Sequence, residues 1–293
     1  MYDLVQTGKN SFYMACPARV GIVKISDSDV VLIDSGSDKD AAKKVKKILD
    51  EQNWNLKAIF NTHSHADHTG GNQYLQNLTG CKIYAPGIDA SVAENTILEP
   101  VMLYGGFPMS DLRSKFLYAK EADVEKLTPE VLPAGMEMIK LPGHSYDMVG
   151  FRTSDNVVYL ADSLSSEDIL NKYHIIFMYD VKEYLNTLEM IKTMKAECFV
   201  PAHVAHTDDI APLAQKNIDK TYEVIEKIKS FLQVPLTFEN LLAKIFTDYN
   251  LVMNASQHVL VGSTVRSILS YLKDEGQIEF YFENNLMMWK KSN

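Results

Sequence analysis

The sequence predicts an α/β fold followed by a smaller, mainly helical C-terminal part, and three observations carry that reading. Short β-branched and aromatic runs alternate with amphipathic helical stretches up to about residue 203. Polar clusters rich in His and Asp follow directly on several of the runs. From about residue 208 the pattern changes to helix, helix and hairpin. At 293 residues, with 46% hydrophobic and 23% charged positions, the chain has the size and composition of a globular protein with a deep core.

In order along the chain, residues 12–25 and 30–33 read as strands broken at Asp and Ser. Asp38 caps a helix over 40–50, whose Ala41, Val45, Ile48 and Leu49 form one stripe against lysines. Residues 56–60 are an apolar run of buried-strand length that ends on Asn61 and Thr62. Further strands are expected at 82–85, 137–141, 157–160 and 198–200, with a helix at 181–195. Residues 86–133 read as a helical insertion containing Tyr104, Phe107, Met109, Phe116 and Tyr118, a lid, a core-packing element or a dimer contact. A long helix over 208–232 is stopped by Pro235. Helices at 238–246 and 264–274 follow, the second capped by Ser263 and ended near Gly276. Strands 277–282 and 286–290, joined at Asn284-Asn285, complete an order that suggests a winged helix. The expected division is a catalytic domain over 1–207, with its insertion at 86–133, and a C-terminal domain over 208–293.

Bulk properties narrow the function classes. A net charge of -9 disfavours non-specific attraction to nucleic acid or anionic lipid. No window approaches the roughly 18 apolar residues of a spanning helix, and residues 1–10 lack a basic-then-apolar leader. Cys16, Cys81 and Cys198 are far apart and form no C-x-x-C pair, which fits a reducing compartment. A cytoplasmic location, without a membrane partner, is the expectation.

The chemistry is concentrated at His63-Ser64-His65-Ala66-Asp67-His68, where three of the chain's eight histidines and one Asp fall within six positions. Residues two apart in extended chain point the same way, so His63 and His65 can share one cation, while a following turn swings Asp67 and His68 toward a neighbouring position. Imidazole and carboxylate suit zinc first, with manganese or iron also possible, and the lack of a cysteine argues against a thiolate-rich structural site. Two ions need more donors. His144, Asp162 and His203 each directly follow an apolar run and supply them.

These residues together resemble the metallo-β-lactamase superfamily, in its glyoxalase II-like branch, over about residues 1–205. Val31-Leu32-Ile33-Asp34-Ser35-Gly36 matches the family's early Ile-Asp-x-Gly strand end. The resemblance implies a four-layer αββα sandwich and a site for two divalent metal ions. One ion would be held by His63, His65 and His144, the other by Asp67, His68 and His203, with Asp162 bridging. It further implies a metal-bridging hydroxide, made by two cations about 3.5–4 Å apart, that attacks an ester, thioester, lactone or phosphodiester. Asp67 would orient it and take its proton. Asp34 is expected to steady the ligand loop from behind. His174, with Tyr179, lies in the stretch that lines the family's substrate pocket, and His206 is close enough to His203 to reach a substrate. A carboxylate at 162, where β-lactamases place a cysteine, argues against antibiotic hydrolysis. Ser145-Tyr146-Asp147 replaces the Thr-x-Gly of glyoxalase-like members, which argues against a glutathione thioester.

Two other classes stand beside the hydrolase. A mononuclear iron persulfide dioxygenase-like oxidoreductase would need only the first ligand set. A winged-helix nucleic-acid-binding protein or ribonuclease would need a basic tail, yet residues 235–293 carry Lys244, Arg266, Lys273, Lys290 and Lys291 against Glu239, Asp248, Asp274, Glu275, Glu279 and Glu283. A small-molecule substrate is therefore favoured over nucleic acid, and a homodimer is possible.

Overall fold

The N-terminal half builds a sheet that begins antiparallel and turns parallel. Strands β1 (Leu4–Gln6), β2 (Ser11–Met14), β3 (Val20–Lys24) and β4 (Asp29–Ile33) pair in chain order, and β5 (Asn55–Phe60), β6 (Lys82–Ala85) and β7 (Glu125–Lys126) continue parallel to β4. The structure, a computed structural model, describes residues 2–292; Met1 and Asn293, the outer ends of the two expected domains, lie outside the described residues. The run expected as one strand over 12–25 is split, because a turn over 15–19 separates β2 from β3 and directs its loop to the site. Between β4 and β5, α1 (Lys39–Glu51) starts at Asp38, whose carboxylate accepts from Asp40 N and Ala41 N. After β5 come α2 (Ala66–Thr69) and α3 (Asn72–Thr79), and after β6 come α4 (Gly87–Glu94) and α5 (Leu98–Tyr104).

The second sheet holds β8 (Glu137–Lys140), β9 (Val149–Arg152), β10 (Val157–Ala161) and β11 (Cys198–Pro201) in the order β11-β10-β9-β8. Helices α6 (Glu167–Tyr173) and α7 (Val181–Thr193) connect β10 to β11, which lies parallel to it. The inner faces of the two sheets meet in a core that includes Phe60, Tyr84, Phe151, Val157 and Tyr159. Outside the first sheet, Val45 and Leu49 of α1 and Leu75 of α3 pack on Ile59 and Leu32. Outside the second sheet, Tyr184 and Leu188 of α7 and Ile225 of α8 (Ala211–Phe231) pack with Leu160 and Phe199. Helix, sheet, sheet and helix are the four layers anticipated. Each large apolar side chain buried between them is worth about 1.5–3 kcal/mol.

Beyond α8 lie β12 (Leu236–Thr237), α9 (Phe238–Asp248), α10 (Ala255–Asp274), β13 (Ile278–Glu283) and β14 (Leu286–Lys291), the three strands forming a sheet in the order β12-β14-β13. The β13–β14 hairpin turns at Asn284 and Asn285, with φ of 50° and 63°, values Asn tolerates. Leu242 and Ile245 of α9 and Val265 and Ile268 of α10 join the same core as α7 and α8.

Two local expectations are corrected. Helix α10 begins at Ala255, capped by Asn254 accepting from Gln257 N, and runs straight through Ser263 instead of starting there. Gly262 packs closely under Phe238 and Arg266, and the Thr264 hydroxyl bonds outward to the segment at 176–178, so residues that resemble a helix start lie inside one. In the 86–133 insertion the helix ends at Tyr104, where Gly105 takes φ of 78°. Phe116 and Tyr118 lie outside helices, and the segment returns as β7 at the sheet edge. Leu103, Leu112 and Leu117 of this segment pack against Val259 of α10. Among the described residues, no helix is long and apolar enough to cross a membrane.

Candidate metal centre

Loops at one end of both sheets converge on a single point. Asp34 follows β4, residues 61–68 follow β5, Asp162 follows β10, and His203 lies just past β11. Two backbone features aim these side chains. Asp34 and Ala161, neither of them glycine, hold φ of 63° and 50° at their strand ends, the left-handed conformation that clusters at functional sites. The β10–β11 register also shifts between Tyr159 and Ala161, re-aiming the chain just before Asp162. His144 sits on a turn whose Gly143 takes φ of 117° with no room for a side chain, since a Cβ would meet Tyr184 N at 2.2 Å.

The seven residues fall into two groups. His63, His65 and His144 present ring nitrogens that could hold one ion, and Asp67, His68, Asp162 and His203 present donor atoms that could hold another. In the first group, His65 Nδ1 lies 3.0 Å from both His63 Nε2 and His144 Nε2. In the second, His68 Nε2 is 3.0 Å from Asp162 Oδ1, and His203 Nε2 is 3.1 Å from Asp162 Oδ2 and 3.4 Å from Asp67 Oδ2. Asp162 Oδ2 is also 3.6 Å from His144 Nε2, so this one carboxylate touches both groups.

The partners behind each ring determine which nitrogen is free. His144 Nδ1 lies 3.0 Å from Phe177 O and His203 Nδ1 lies 2.7 Å from Pro17 O. A carbonyl only accepts, so Nδ1 carries the proton and Nε2 faces inward. His68 Nδ1 donates to Asp34 Oδ2 at 2.8 Å. The Thr62 hydroxyl also donates to Asp34 Oδ2, leaving its oxygen to accept from His63 Nδ1 at 3.0 Å. Asp34 therefore orients one imidazole of each group.

This arrangement fits metal ions. Four Nε2 atoms, one Nδ1 and two carboxylates converge on the same small space. Among the described residues, His68 Nε2 and Asp162 Oδ1 are two of three buried side-chain atoms without a hydrogen-bond partner. A cation between them supplies what each lacks.

Comparison with known proteins agrees. The profile of the metallo-β-lactamase superfamily matches residues 14–203. The chain belongs to the metallo-β-lactamase superfamily. Among solved structures, a β-lactamase domain protein from Burkholderia ambifaria aligns with TM-score 0.76 at 13% identity, covering 99% of this chain and 94% of that one. A metallo-β-lactamase family protein from Thermus thermophilus aligns with TM-score 0.70 at 15% identity, covering 94% of each chain. At such identities the likeness is one of fold. Curated relatives include hydroxyacylglutathione hydrolases from Rhodopseudomonas palustris (strain BisB18), 28% identical over 138 residues and 45% of each chain, and from Maricaulis maris (strain MCS10), 50% identical over 40 residues, 14% of this chain and 16% of the relative. The chain spans less than half the length of these curated relatives.

The two groups of this metallo-β-lactamase fold differ in charge. Burial pushes the His65 and His144 imidazoles down to about 4, and His63 well below its ordinary value. In the second group the Asp162 carboxylate lifts His203 to about 10. Burial opposes a charge on His68, yet Asp162, Asp67 and Asp34 hold it well above its ordinary value. Burial would likewise raise Asp67, but His68 and His203 pull it down to about 2.

The three other predicted site residues lie outside both groups. His206 is exposed, with Nδ1 3.0 Å from the Tyr13 hydroxyl. Tyr179 packs on Tyr146, ring centres 4.6 Å apart. His174 ends α6 with φ of 58°, lies 2.9 Å from Lys220 Nζ and stacks on Tyr249. It does not line the apolar cavity beside the centre, whereas its neighbour Tyr173 does.

Sequence reading missed Asp89. Buried at the start of α4, it accepts from Ser64 N, Ser64 Oγ, Ser145 Oγ and Asp147 N at 2.9, 2.7, 2.6 and 2.8 Å. One carboxylate thus ties the His63/His65 loop to the His144 loop. Its signal was present, an Asp four residues past the strand at 82–85, but it was absorbed into the insertion. Phe177 was missed too. Its ring packs on His65 and His144 and its carbonyl holds His144, roles that backbone atoms play without a sequence signature. Glu99 of α5 is buried against the ligand loop and held well above its ordinary value by desolvation, then by Asp67 and Asp89.

Proposed function

We propose that the chain is a binuclear metallo-hydrolase that cleaves an ester, thioester, lactone or phosphodiester of a small molecule. The observation that carries the reading is the Asp162 carboxylate lying across two complete ligand groups. His63, His65 and His144 would hold one ion, Asp67, His68 and His203 the other, and Asp162 both. Zinc suits this donor set first, with manganese or iron also possible. Bound there, the ions would supply Lewis acidity that lowers the pKa of water at the site toward neutrality and polarises the oxygen under attack.

The protein's own contribution is orientation and proton handling. Asp34, Thr62, Phe177 and Pro17 hold Nδ1 of His68, His63, His144 and His203, so these four imidazoles face the site through Nε2. Asp67 is the only carboxylate of the two groups with a side chain substantially open to solvent, at 38% against 12% for Asp162. That exposure suits it to take the proton of an attacking water and pass it outward. The complete second group separates this reading from a single-iron oxygenase, which would need only the three histidines. Curated relatives named as hydroxyacylglutathione hydrolases support thioester chemistry in kind. In this chain, though, Ser145 and Asp147, where the resemblance expects Thr-x-Gly, both serve Asp89. The acidic C-terminal region favours a small-molecule substrate over nucleic acid, and a cytoplasmic enzyme fits the cysteine usage.

The test is zinc-loaded protein against thioester, lactone and bis-aryl phosphodiester panels, with and without Asp67→Ala. Hydrolysis of at least one class and a loss of about 100-fold or more in kcat for the variant are expected. Metal-replete protein that turns over no class, or a variant with an unchanged rate, would contradict the proposal.

A further inference from the structure

A cavity of about 390 Å³ opens beside the centre, with His144, Asp162 and His203 at one end. The rest of its wall has a different character. Leu164, Ile169 of α6, Ile176, Phe177, and Leu260 and Val261 of α10 present apolar side chains to it, and the polar groups among its lining away from the metal ligands are those of Ser165, Tyr173 and Gln257. Among the described residues, no Lys or Arg lines it. The volume is that of a small-molecule site, and the wall offers no partner for a phosphate or for a carboxylated tail such as a charged peptide carries.

The C-terminal region does more than flank this cavity. Thr264 of α10 accepts from Met178 N at 3.1 Å and donates to Ile176 O at 3.2 Å, and Ser267 donates to Tyr179 O at 2.8 Å. The segment so clamped carries Phe177, whose carbonyl holds His144. Tyr179 N and Asp180 N also donate to Gly143 O, at 2.9 and 3.0 Å, which locks the same segment to the turn before His144. The apolar wall and the metal ligand are thus parts of one hydrogen-bonded unit, with α10 closing its far side.

We propose that this cavity binds an uncharged, apolar acyl chain, and that α10 is the specificity element that receives it. The assignment rests on the metallo-hydrolase reading, and it makes the substrate an ester, thioester or lactone of a medium-length aliphatic acid. A carbonyl at the His144–Asp162–His203 end leaves its alkyl group only the apolar wall to occupy. Water displaced from that wall favours each methylene seated against it, and chain length becomes the variable the site reads.

Two measurements on zinc-loaded protein test this. In the first, kcat/KM is followed over p-nitrophenyl esters from acetyl to decanoyl, and should rise about fourfold per methylene until the cavity is filled. Leu260→Trp, which narrows the wall, should lower the ratio of decanoyl to acetyl turnover by tenfold or more. In the second, 1-decanol is titrated into protein labelled at isoleucine methyl groups. The methyls of Ile169, Ile175 and Ile176, all in the cavity lining, should shift, while that of Ile48, on the buried face of α1, should not. This readout needs neither turnover nor the variant. Shifts without hydrolysis of any ester would keep the acyl site and overturn the hydrolase reading. Hydrolysis that is indifferent to chain length, with unmoved Ile169 and Ile176 methyls, would overturn the acyl site and keep the hydrolase.

Discussion

The two ligand groups stand side by side and share the reach of Asp162, yet they solve the problem of holding a cation in opposite ways. His63, His65 and His144 are three imidazoles kept neutral by burial. An ion held among them would meet three neutral donors and, apart from its share of Asp162, would keep more of its charge than one in the mixed group. Asp67, His68, Asp162 and His203 pair two carboxylates with two imidazoles, and without a metal those carboxylates raise both imidazoles above their ordinary value. An ion there must displace protons, and the carboxylates then cancel its charge. On the proposed reading, the first group would polarise a substrate and the second would bind an ion and manage protons beside it.

The sharpest way to break this contrast is to remove what the groups share. Asp162→Ala should cost at least about 1,000-fold in kcat/KM, since it withdraws a ligand from each group. Elemental analysis should find both ions weakened, and loss of one ion alone would show that Asp162 belongs to a single group.

The pH dependence of loading separates the groups next. His203, held up to about 10 by Asp162, is protonated at neutral pH in metal-free protein. Affinity at the mixed group should therefore rise with pH, by about tenfold per pH unit for each proton displaced. His65 and His144, held down to about 4, are already neutral, so affinity at the three-histidine group should be flat from pH 6 to 8. Zinc titration calorimetry in buffers of different ionisation enthalpy reads both slopes.

Smaller effects come from the supporting carboxylates. Asp34→Asn disturbs His68 directly but His63 only through Thr62, so it should weaken the mixed group about 10–100-fold and the three-histidine group less. Asp89→Ala acts on the other side. It leaves Ser64 N and Asp147 N without their acceptor, at about 1–3 kcal/mol each. Thermal unfolding should register that cost, and zinc loss should fall on the three-histidine group.

Much of this was legible in the chain because the residues are close in sequence or sit at strand ends. His63, His65, Asp67 and His68 announce themselves by spacing. Asp34, His144, Asp162 and His203 each follow an apolar run, at strand ends where α/β sheets carry their chemistry. What was illegible depends on tertiary contact. The start of α10 was misplaced because Ser263 and Thr264 carry the signature of a cap, and only packing against the segment at 176–179 shows Thr264 serving as a clamp inside the helix. His174 sits next to the cavity in sequence, but its left-handed backbone turns the ring toward Lys220 and Tyr249. Asp89 acts across more than fifty residues of chain, through contacts no local pattern encodes.

The contrast between the groups means little unless both hold an ion at once. Zinc-free protein titrated with zinc, with bound metal counted per chain and ester turnover measured at each addition, tests this most directly. A two-ion centre gives two zinc per chain and activity that keeps rising to the second equivalent. Saturation at one zinc per chain with full activity would contradict it.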